Sequence, residues 1–564
     1  MKLVQKPPLQ SAFGCLLVLA TMLPALASSS RDVDGGAPFT TRNLETVPCG
    51  GVVATFPQET ISRDFDTYID VSVTDVLTAV GLKYLFANDK TYGVQVMKVC
   101  ASCDSVVGEG AGAEAGAGAQ QDLYENPSFD HYCGENAYGH DLEHSGLVFL
   151  PLVGNDVRPG TMPGYVYSRA TKAGKDERGP SLDLDTHLDY AFGIIATMAM
   201  GSISFAPDFM GYGAETTAEK GFLLRDTYLT SSIPLWLWVS NFVAESTDSR
   251  SALGDAAFYI GASEGAYASV ALAEGFRAAL GVVPVNTFAS AGPYRLGSAA
   301  ILKTIINPVA GGDVETYGYI GILLGEVYSS TNPNAANFGQ GQDLLNDENR
   351  ELALSWLNDP DLSKLEMNAK LIDFDADDEY RIENLWNLKI VQFLRDAVEA
   401  GVEDPCDPDY EGYVVGENDK FCEALKQNDL IDVLENANYN IELCYSDEDT
   451  VATPDNMPDV SVNTFLTATL KTGDHEEAIG ACFFDAFSDI VSSPVFRDFV
   501  PEPKHKCNPA PCDSGPTTTI TNAPTVSRDA RGGPSSSARK SSLSFMSTAL
   551  LIIVGLGSFM ALCP

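Results

Sequence analysis

The stretch AAFYIGASEGAYASVALAE, which begins at Ala256, contains the feature that decides the fold. Its first five residues are apolar and predict a buried strand, and its last nine are mostly small and predict a closely packed helix. Between them stands Ser263, with Gly261 two positions before it and Gly265 two positions after it. In a G-x-S-x-G turn the serine is exposed at the end of the sheet, and the glycines avoid clashes with the neighbouring strand and helix. The pattern therefore predicts a nucleophilic serine at a sharp strand-to-helix turn.

Strands and helices alternate along the chain before this turn. Apolar runs predict strands at 91–99, 146–151, 164–168 and 203–207, and a helix is predicted near 189–200. Alternation of this kind is typical of a mostly parallel sheet with helices on its faces. The sequence therefore predicts the α/β class.

The segment 296–440 has a different pattern, because helical periodicity dominates it, for example at 382–400. We predict that it forms a largely helical cap insertion over the sheet. A chain of 564 residues with 45% hydrophobic content is long enough for one large core with such an insertion. The predicted main domain spans 28–505.

The amino terminus has the features of a secretory signal. Lys2 and Lys6 precede an apolar run at 12–23, and small residues and a serine cluster follow it. This order predicts a cleaved signal peptide at 1–27.

The carboxyl terminus predicts membrane attachment. A flexible stalk is expected at 506–540, and the tail 541–564 is almost wholly apolar from Phe545 onward. Small residues at 535–537 and a short polar spacer precede the tail, as in a signal for a glycosylphosphatidylinositol anchor. A retained membrane helix is the alternative. Either alternative predicts a protein on the extracellular face of the cell membrane.

The charge of the chain excludes one class of partner. With 77 acidic and 35 basic residues, the formal net charge is −42. A surface this acidic repels phosphate backbones, so we expect no binding of nucleic acid. The sequence leaves the oligomeric state open.

The cysteines predict a disulfide-bonded protein. Loss of Cys15 with the signal and of Cys563 with the tail leaves ten of the twelve. Three pairs are predicted, namely Cys444 with Cys482, Cys406 with Cys422 and Cys507 with Cys512. Four cysteines then remain with three possible pairings: Cys49, Cys100, Cys103 and Cys133. Cys100 and Cys103 have zinc-like spacing, but no second such pair follows, so no metal site is predicted.

A serine nucleophile needs a histidine base, which follows it in the chain order serine, acid, histidine. Of the six histidines, only His475 and His505 follow Ser263. His475 lies in a Thr-Gly-Asp-His-Glu turn before a predicted helix, whereas His505 lies between two lysines beside a stalk rich in proline and cysteine. We therefore predict that His475 is the base.

The acid is expected just after the buried strand predicted at 441–445. Three acidic residues follow that strand, namely Asp447, Glu448 and Asp449. Asp449 is the preferred candidate, because Thr-Val and then Pro and Asn follow it, and the other two stay open. His475 lies 26 positions after Asp449 (475 minus 449), a spacing that predicts one helix and one strand between them.

Several segments occur in an order that identifies a family. They are 145–151, 206–213, the turn at Ser263, 291–294 and 428–456. Over about residues 90–490 the chain resembles the secretory lipases and esterases of the α/β-hydrolase superfamily. The resemblance implies hydrolysis of hydrophobic carboxylic esters without metal or organic cofactor. It implies Ser263 as nucleophile, His475 as base and Asp449 as the acid that orients the base.

One segment departs from this family, which usually has His-Gly-Thr after an early strand. Here the matching residues are Arg169, Ala170 and Thr171. The oxyanion hole uses backbone N–H groups, so Ala170 or Thr171 is expected to donate together with the amide of Glu264. Two alternatives to an esterase stay open: a serine peptidase of the same fold, and a surface-binding homologue without catalysis.

Overall fold

The residues that the computed structural model describes all lie within the unit Met1–Thr518. The described residues are 47–56, 92–107, 129–134, 137–139, 141–173, 179–182, 193–194, 196–198, 200–213, 219–306, 318–342, 344–345, 347–359, 362–373, 379–380, 382–413 and 419–492. The predicted signal peptide, stalk, tail, Cys507–Cys512 pair and the alternative base His505 all lie outside these ranges.

A ten-stranded sheet forms the centre of the fold. The strands in chain order are β1 (Val52–Phe56), β2 (Gly93–Ala101), β3 (His144–Val153), β4 (Asp156–Val157), β5 (Gly160–Ser168), β6 (Ile203–Pro207), β7 (Ser251–Ala262), β8 (Val283–Ser290), β9 (Ile372–Asp373), β10 (Glu379–Tyr380), β11 (Ile441–Ser446) and β12 (Leu466–Lys471). Strands β9 and β10 form a separate antiparallel pair.

The spatial order in the large sheet is β1, β2, β3, β6, β5, β7, β8, β11, β12, with β4 paired to β3. From β6 to β12 every neighbouring pair is parallel. Strand β3 is antiparallel to both of its long neighbours, and β1 is antiparallel to β2. The prediction of a mostly parallel sheet is confirmed, and the predicted strands at 146–151, 164–168 and 203–207 lie in β3, β5 and β6.

The helices in chain order are α1 (Cys103–Val107), α2 (Phe129–Cys133), α3 (Arg225–Ser246), α4 (Glu264–Leu280), α5 (Ala299–Ile306), α6 (Gly318–Val327), α7 (Pro333–Asn337), α8 (Asp347–Leu357), α9 (Lys364–Ala369), α10 (Leu388–Glu399), α11 (Asp419–Gln427), α12 (Ile431–Asn436) and α13 (His475–Ser492). Short 3-10 turns lie at Ile382–Asn384 and Pro454–Asn456. Near the helix predicted at 189–200, the described residues from 193 to 200 are helical.

Helices α3 and α4 cover one face of the sheet, and small residues let them approach closely. A Cβ at Gly164 of β5 would lie 2.5 Å from the Trp236 ring, and one at Gly275 of α4 would lie 2.0 Å from Leu229 of α3. Trp236 also stacks on Phe205 with ring centroids 5.0 Å apart. Close contact of these aromatic rings with glycine backbone fixes both helices against the strands.

The opposite face carries a second apolar core. It includes Phe149 and Phe258 from the strands, Ile194 and Met198 from the helical residues near 193–200, and Phe483 from α13. Both faces of the sheet are therefore buried, as expected for strands that are apolar along most of their length.

The described residues of the segment 296–440 are largely helical, since they include α5 to α12 and one short pair of strands. The helix predicted at 382–400 is divided, because Asn387 caps α10 by accepting a hydrogen bond from the Lys389 amide. Buried Trp386, just before this cap, donates its indole N–H to the Gly321 carbonyl at 2.9 Å. The role of the segment as a cap stays a prediction.

Four disulfides join cysteines of the described ranges, namely Cys49–Cys100, Cys103–Cys133, Cys406–Cys422 and Cys444–Cys482. The last two confirm the pairs that the sequence predicts. Cys100 and Cys103 belong to different disulfides, so their spacing serves two cross-links. Disulfides in this number are typical of proteins that fold in an oxidising compartment.

None of the helices in the described ranges combines the length and the apolar character that crossing a bilayer requires.

Candidate active site

Ser263 lies in the turn between β7 and α4, in a backbone conformation that residues other than glycine rarely adopt. Its φ is 53° and its ψ is −122°. A residue held there costs on the order of 1–3 kcal/mol, so the surroundings must fix it. The Ser263 amide donates to the Ser290 carbonyl at 2.9 Å, and the Ser263 carbonyl accepts from the Ala266 amide at 3.0 Å. The end of β8 and the first turn of α4 thus hold the serine in place.

Gly261 and Gly265 are needed for the reason that the sequence indicates. A Cβ at Gly261 would lie 2.1 Å from the Gly265 carbonyl oxygen. A Cβ at Gly265 would lie 2.1 Å from the Ser168 carbonyl oxygen at the end of β5. Both distances are far below van der Waals contact, so no side chain fits at either position.

His475 and Asp449 meet Ser263 at the ends of three parallel strands. The Nδ1 atom of His475 lies 2.7 Å from Asp449 Oδ2, and its Nε2 atom lies 3.1 Å from Ser263 Oγ. Both His475 and Asp449 are buried. An ionised carboxylate only accepts hydrogen bonds, so the Nδ1 proton points toward Asp449, and Nε2 is left to accept the serine proton. The structure thus brings the three sequence-predicted residues together.

Asp449 is fixed by the backbone of its own loop. Its Oδ1 atom accepts hydrogen bonds from the amides of Val451 at 2.8 Å and Ala452 at 2.9 Å. The other two acidic candidates of this loop, Asp447 and Glu448, are exposed. The Asp-Thr-Val motif favours Asp449 in the sequence. In the structure this motif forms a turn in which the Asp449 carboxylate accepts hydrogen bonds from the amides that follow it.

The acid loop and the histidine loop are bound to each other. Ser446 at the end of β11 donates its hydroxyl to the Gly473 carbonyl at 2.5 Å, and the Cys444–Cys482 disulfide joins β11 to α13. Gly473 has a φ of 104°, which favours glycine at this position. These links fix the distance between the carboxylate and the imidazole.

The path from Asp449 to His475 differs from the prediction in one respect. It contains β12 and the 3-10 turn Pro454–Asn456, with no α-helix. Buried Asn456 keeps this segment compact, because its Oδ1 accepts from the Tyr294 and Arg295 amides at 2.8 and 2.7 Å. Its Nδ2 donates to the Gly292 carbonyl at 2.6 Å. Two segments that carry the family resemblance, 291–294 and 428–456, are thus joined by one asparagine.

Arg169 directly follows β5 and is fully buried. Its guanidinium lies over the Tyr212 ring at 3.9 Å and the Phe209 ring at 5.1 Å from their centroids. Its Nε donates to the Asp208 carbonyl at 3.3 Å, and one terminal nitrogen donates to the Ala170 carbonyl at 3.0 Å. Arg169 is therefore packed against the segment 206–213.

The same terminal nitrogen of Arg169 lies 3.5 Å from Oε2 of Glu264, the residue after the nucleophile. Oε1 of Glu264 accepts a hydrogen bond from the Tyr228 hydroxyl at 2.9 Å. Burial raises the pKa of the Glu264 carboxyl, and Arg169 and the Tyr228 bond act in the opposite direction. Sequence reasoning assigned Glu264 only a backbone role and missed its side chain and Tyr228. The one signal that the sequence offers is that Arg169 and Glu264 carry opposite charges.

A largely apolar pocket opens beside Ser263, Glu264 and Thr171. Its empty volume of about 540 Å³ includes space open to solvent. Its walls come mainly from the turn before α3 and from α5, α6 and α11, through Phe222, Leu223, Leu296, Ile301, Ile305, Ile320, Leu324 and Leu425.

Within the part of the chain that the structure describes, one group of three residues has the side-chain spacing of a metal site, namely Cys49, Cys100 and Glu143. The two cysteines are bonded to each other, so neither offers a thiolate ligand.

No protein-family model and no curated protein sequence matches the chain. Solved structures are similar to it. A Legionella pneumophila structure, provisionally described as a hydrolase, has a TM-score of 0.50 at 14% identity and covers 80% of this chain and 98% of its own. A ligand-bound form of the rice cell wall degrading esterase LipA from Xanthomonas oryzae has a TM-score of 0.48 at 15% identity, covering 81% and 98%. Candida antarctica lipase A in its closed state has a TM-score of 0.42 at 13% identity, covering 83% and 87%.

At these identities the likeness is one of fold. The largely parallel sheet, the helices on both of its faces and the likeness to the Legionella structure give the chain an α/β-hydrolase fold. The resemblance to this superfamily is confirmed at that level.

Proposed function

We propose that the protein is a serine hydrolase that cleaves carboxylic esters with hydrophobic acyl groups. The observation that carries the proposal is the hydrogen-bonded series from Asp449 through His475 to Ser263 at the carboxyl ends of parallel strands. Its order along the chain is serine, acid, histidine, which is the order of this fold's triads. The strained turn that exposes Ser263 supports the same role, because such strain concentrates at functional sites.

Catalysis would proceed through an acyl-enzyme. His475 Nε2 takes the proton from Ser263 Oγ as that oxygen bonds to the ester carbonyl carbon, and the imidazolium is stabilised by Asp449. The resulting oxyanion is bound by the backbone N–H of Glu264 and by an N–H of Ala170 or Thr171. The C–O bond to the alcohol then breaks, and the alcohol leaves with the proton from His475. Water repeats the sequence on the acyl-enzyme and releases the carboxylic acid.

The pocket supports a hydrophobic acyl group. Its walls near Ser263 are aliphatic and aromatic, including Leu296, Ile305 and Leu324. An alkyl chain that enters such a pocket gains roughly 0.8 kcal/mol for each buried methylene. We therefore expect kcat/KM to rise with acyl length until the pocket is full. None of the proposed steps requires a metal or organic cofactor.

The proposed location is the extracellular face of the cell membrane, with attachment through a lipid anchor or a C-terminal helix. The four disulfides support passage through the secretory pathway. Treatment of membranes with a phosphatidylinositol-specific phospholipase tests the attachment. Release of the protein would support the lipid anchor, and retention after this treatment would favour the helix.

A panel of p-nitrophenyl esters from acetate to palmitate, beside peptide p-nitroanilides, tests the proposed reaction. The expected result is ester turnover that increases with acyl length and is lost in Ser263→Ala. Turnover of the anilides at comparable kcat/KM would favour a peptidase. No turnover of either series by folded protein would favour a surface-binding homologue.

A further inference from the structure

On the basis of the proposed ester hydrolysis, we infer that Arg169 and Glu264 form a buried positioning pair that holds the two halves of the oxyanion hole in register. One half is the backbone N–H of Glu264 itself, at the start of α4. The other half lies in the segment after β5, which begins at Arg169. The side chains of these two residues meet, with a terminal nitrogen of Arg169 3.5 Å from Oε2 of Glu264.

Arg169 also selects which amide of its segment serves as the donor. One terminal nitrogen of its guanidinium donates to the Ala170 carbonyl at 3.0 Å. The carbonyl of Ala170 and the amide N–H of Thr171 belong to one planar trans peptide, so they point in opposite directions. Because Arg169 holds the carbonyl, the Thr171 N–H is directed away from the guanidinium. Thr171 lines the pocket together with Ser263, whereas Ala170 is exposed. The pair therefore assigns Thr171 as the donor.

Contacts on several sides restrict the conformation of the Arg169 side chain. The guanidinium is bounded by the Tyr212 and Phe209 rings and is bonded to the Asp208 carbonyl. Lys364 adds a further restraint on the segment, because its Nζ donates to the Thr171 carbonyl at 3.0 Å. A planar guanidinium with several donors can satisfy these contacts at once, which an imidazole at the same place cannot.

Glu264 is held as firmly from the other side. Its carboxylate is fully buried and accepts the Tyr228 hydroxyl, and Tyr228 in turn accepts the Leu223 amide at 2.9 Å. The carboxylate therefore anchors the residue at which α4 begins and whose N–H would bind the oxyanion. The departure from the family's histidine is thus matched by an acidic residue after the nucleophile.

Loss of the pair should affect the chemical step more than substrate binding. The oxyanion forms only as the serine attacks, so its donors act mainly on kcat. A misplacement of about 1 Å at such a site can cost on the order of 100-fold in rate. KM, which depends on the apolar pocket, should change by no more than about threefold.

Three variants test the inference: Arg169→Met, Glu264→Gln and the double variant. Each single variant leaves a buried charge without its partner, so we expect a lower Tm and a kcat about 100-fold below wild type. The double variant removes both charges, so its Tm should return toward wild type while its kcat stays low. Steady-state kinetics on p-nitrophenyl butyrate and thermal unfolding followed by circular dichroism give these numbers.

Two further variants serve as controls. Arg158→Met removes another buried arginine, which donates to the Gly201 carbonyl and lies over the Tyr92 ring. It precedes β5, about 30 Å of strand away from Arg169, so Tm should fall with kcat unchanged. Arg169→Lys keeps the charge but lacks the planar guanidinium. Its Tm should therefore be close to that of the wild type, whereas its kcat should be about a tenth of the wild-type value.

Recovery of kcat together with Tm in the double variant would overturn the inference, as would single variants with wild-type kcat. If a single variant fails to fold, the double variant and Arg169→Lys still decide the matter. Absence of Ser263-dependent ester turnover in the wild-type protein would instead refute the proposed function on which the pair depends.

Discussion

The two sides of the candidate site are held by different means. On the triad side, Asp449 is fixed by the amides two and three positions further along its own loop, and His475 begins a helix that a disulfide joins to β11. On the oxyanion side, Arg169 and Glu264 are 95 positions apart (264 minus 169) and meet through their side chains. Loop amides, the Ser446 hydroxyl and a disulfide hold the candidate triad, whereas in our proposal a buried pair of opposite charges holds the oxyanion side.

The largest effect should come from the triad side. His475→Ala removes the group that takes the proton from Ser263, so kcat for ester hydrolysis should fall by about 10⁶-fold. The rate is measured with a p-nitrophenyl ester at saturation. The matched control is His131→Ala, since His131 contacts Asp226 at 3.4 Å at the start of α3 and lies outside the site. A fall of less than about 100-fold in His475→Ala would show that another group acts as the base.

The next effect distinguishes the acids of the 447–449 loop. Asp449→Asn removes the negative charge beside His475 while the shape of the side chain is kept, so kcat should fall by about 10⁴-fold. The exposed neighbour offers a control, and Asp447→Asn should keep wild-type kcat within a factor of two. A large loss of kcat in Asp447→Asn, with little loss in Asp449→Asn, would show that Asp447 is the acid and that the assignment of Asp449 is wrong.

A smaller effect is expected on the oxyanion side. Tyr228→Phe removes the hydrogen bond to the Glu264 carboxylate and the acceptor of the Leu223 amide, but leaves the ring in the core. We expect kcat to fall by about tenfold, and the free energy of unfolding to fall by about 2 kcal/mol, because the bond is to a charged group. Kinetics and urea unfolding measure the two quantities. An unchanged kcat with the expected loss of stability would mean that Glu264 does not need its side-chain anchor.

These two sides also differ in what the sequence could predict. Ser263, Asp449 and His475 each follow or end a strand, so local pattern and chain order sufficed to choose them. The strand at 203–207 was predicted within its observed limits because it is apolar and ends at Pro207. Helix α4 runs beyond its predicted limits to Leu280, because it ends at the left-handed Gly281, a signal that small-residue content alone does not give.

The oxyanion side could not be predicted in the same way. A sequence identifies Arg169 as a departure from the family, but the partner that accommodates it depends on how β5 and α4 meet in space. Tyr228 was unpredictable for the same reason, since it comes from α3 on one face of the sheet. Of the four cysteines whose pairing the sequence left open, the structure joins Cys49 to Cys100 and Cys103 to Cys133, a choice set by the tertiary fold.

The smallest effect concerns a second cluster of acidic side chains and an arginine, which contains the buried residue Glu326 and lies apart from the triad residues in sequence. Glu326 is buried, and burial together with nearby Glu219 raises its pKa to about 8, while Arg350 at 3.2 Å and Asn332 oppose the shift. The folded state therefore binds this proton more tightly than the unfolded chain does. The stabilisation is complete below about pH 4.5 and is lost as the pH rises to about 8.

We accordingly expect wild-type Tm to show a contribution that decreases between pH 5 and pH 8, and Glu326→Gln to remove it. The difference in Tm between the two proteins, measured by calorimetry across this range, isolates that contribution from other carboxylates. Parallel curves for the two proteins would mean that the Glu326 proton does not contribute. The Glu326→Gln result gives a reference for Glu264→Gln, because Glu264 is also a buried carboxyl beside an arginine.

The most direct test of the central claim is the site of covalent modification by a fluorophosphonate. Ser263 Oγ would bond to phosphorus with loss of fluoride, because the turn exposes this oxygen and His475 takes its proton. Tandem mass spectrometry of the digested protein should find one adduct per chain, on the peptide that contains Ser263. No adduct on folded protein, or an adduct on another residue that persists in Ser263→Ala, would contradict the account.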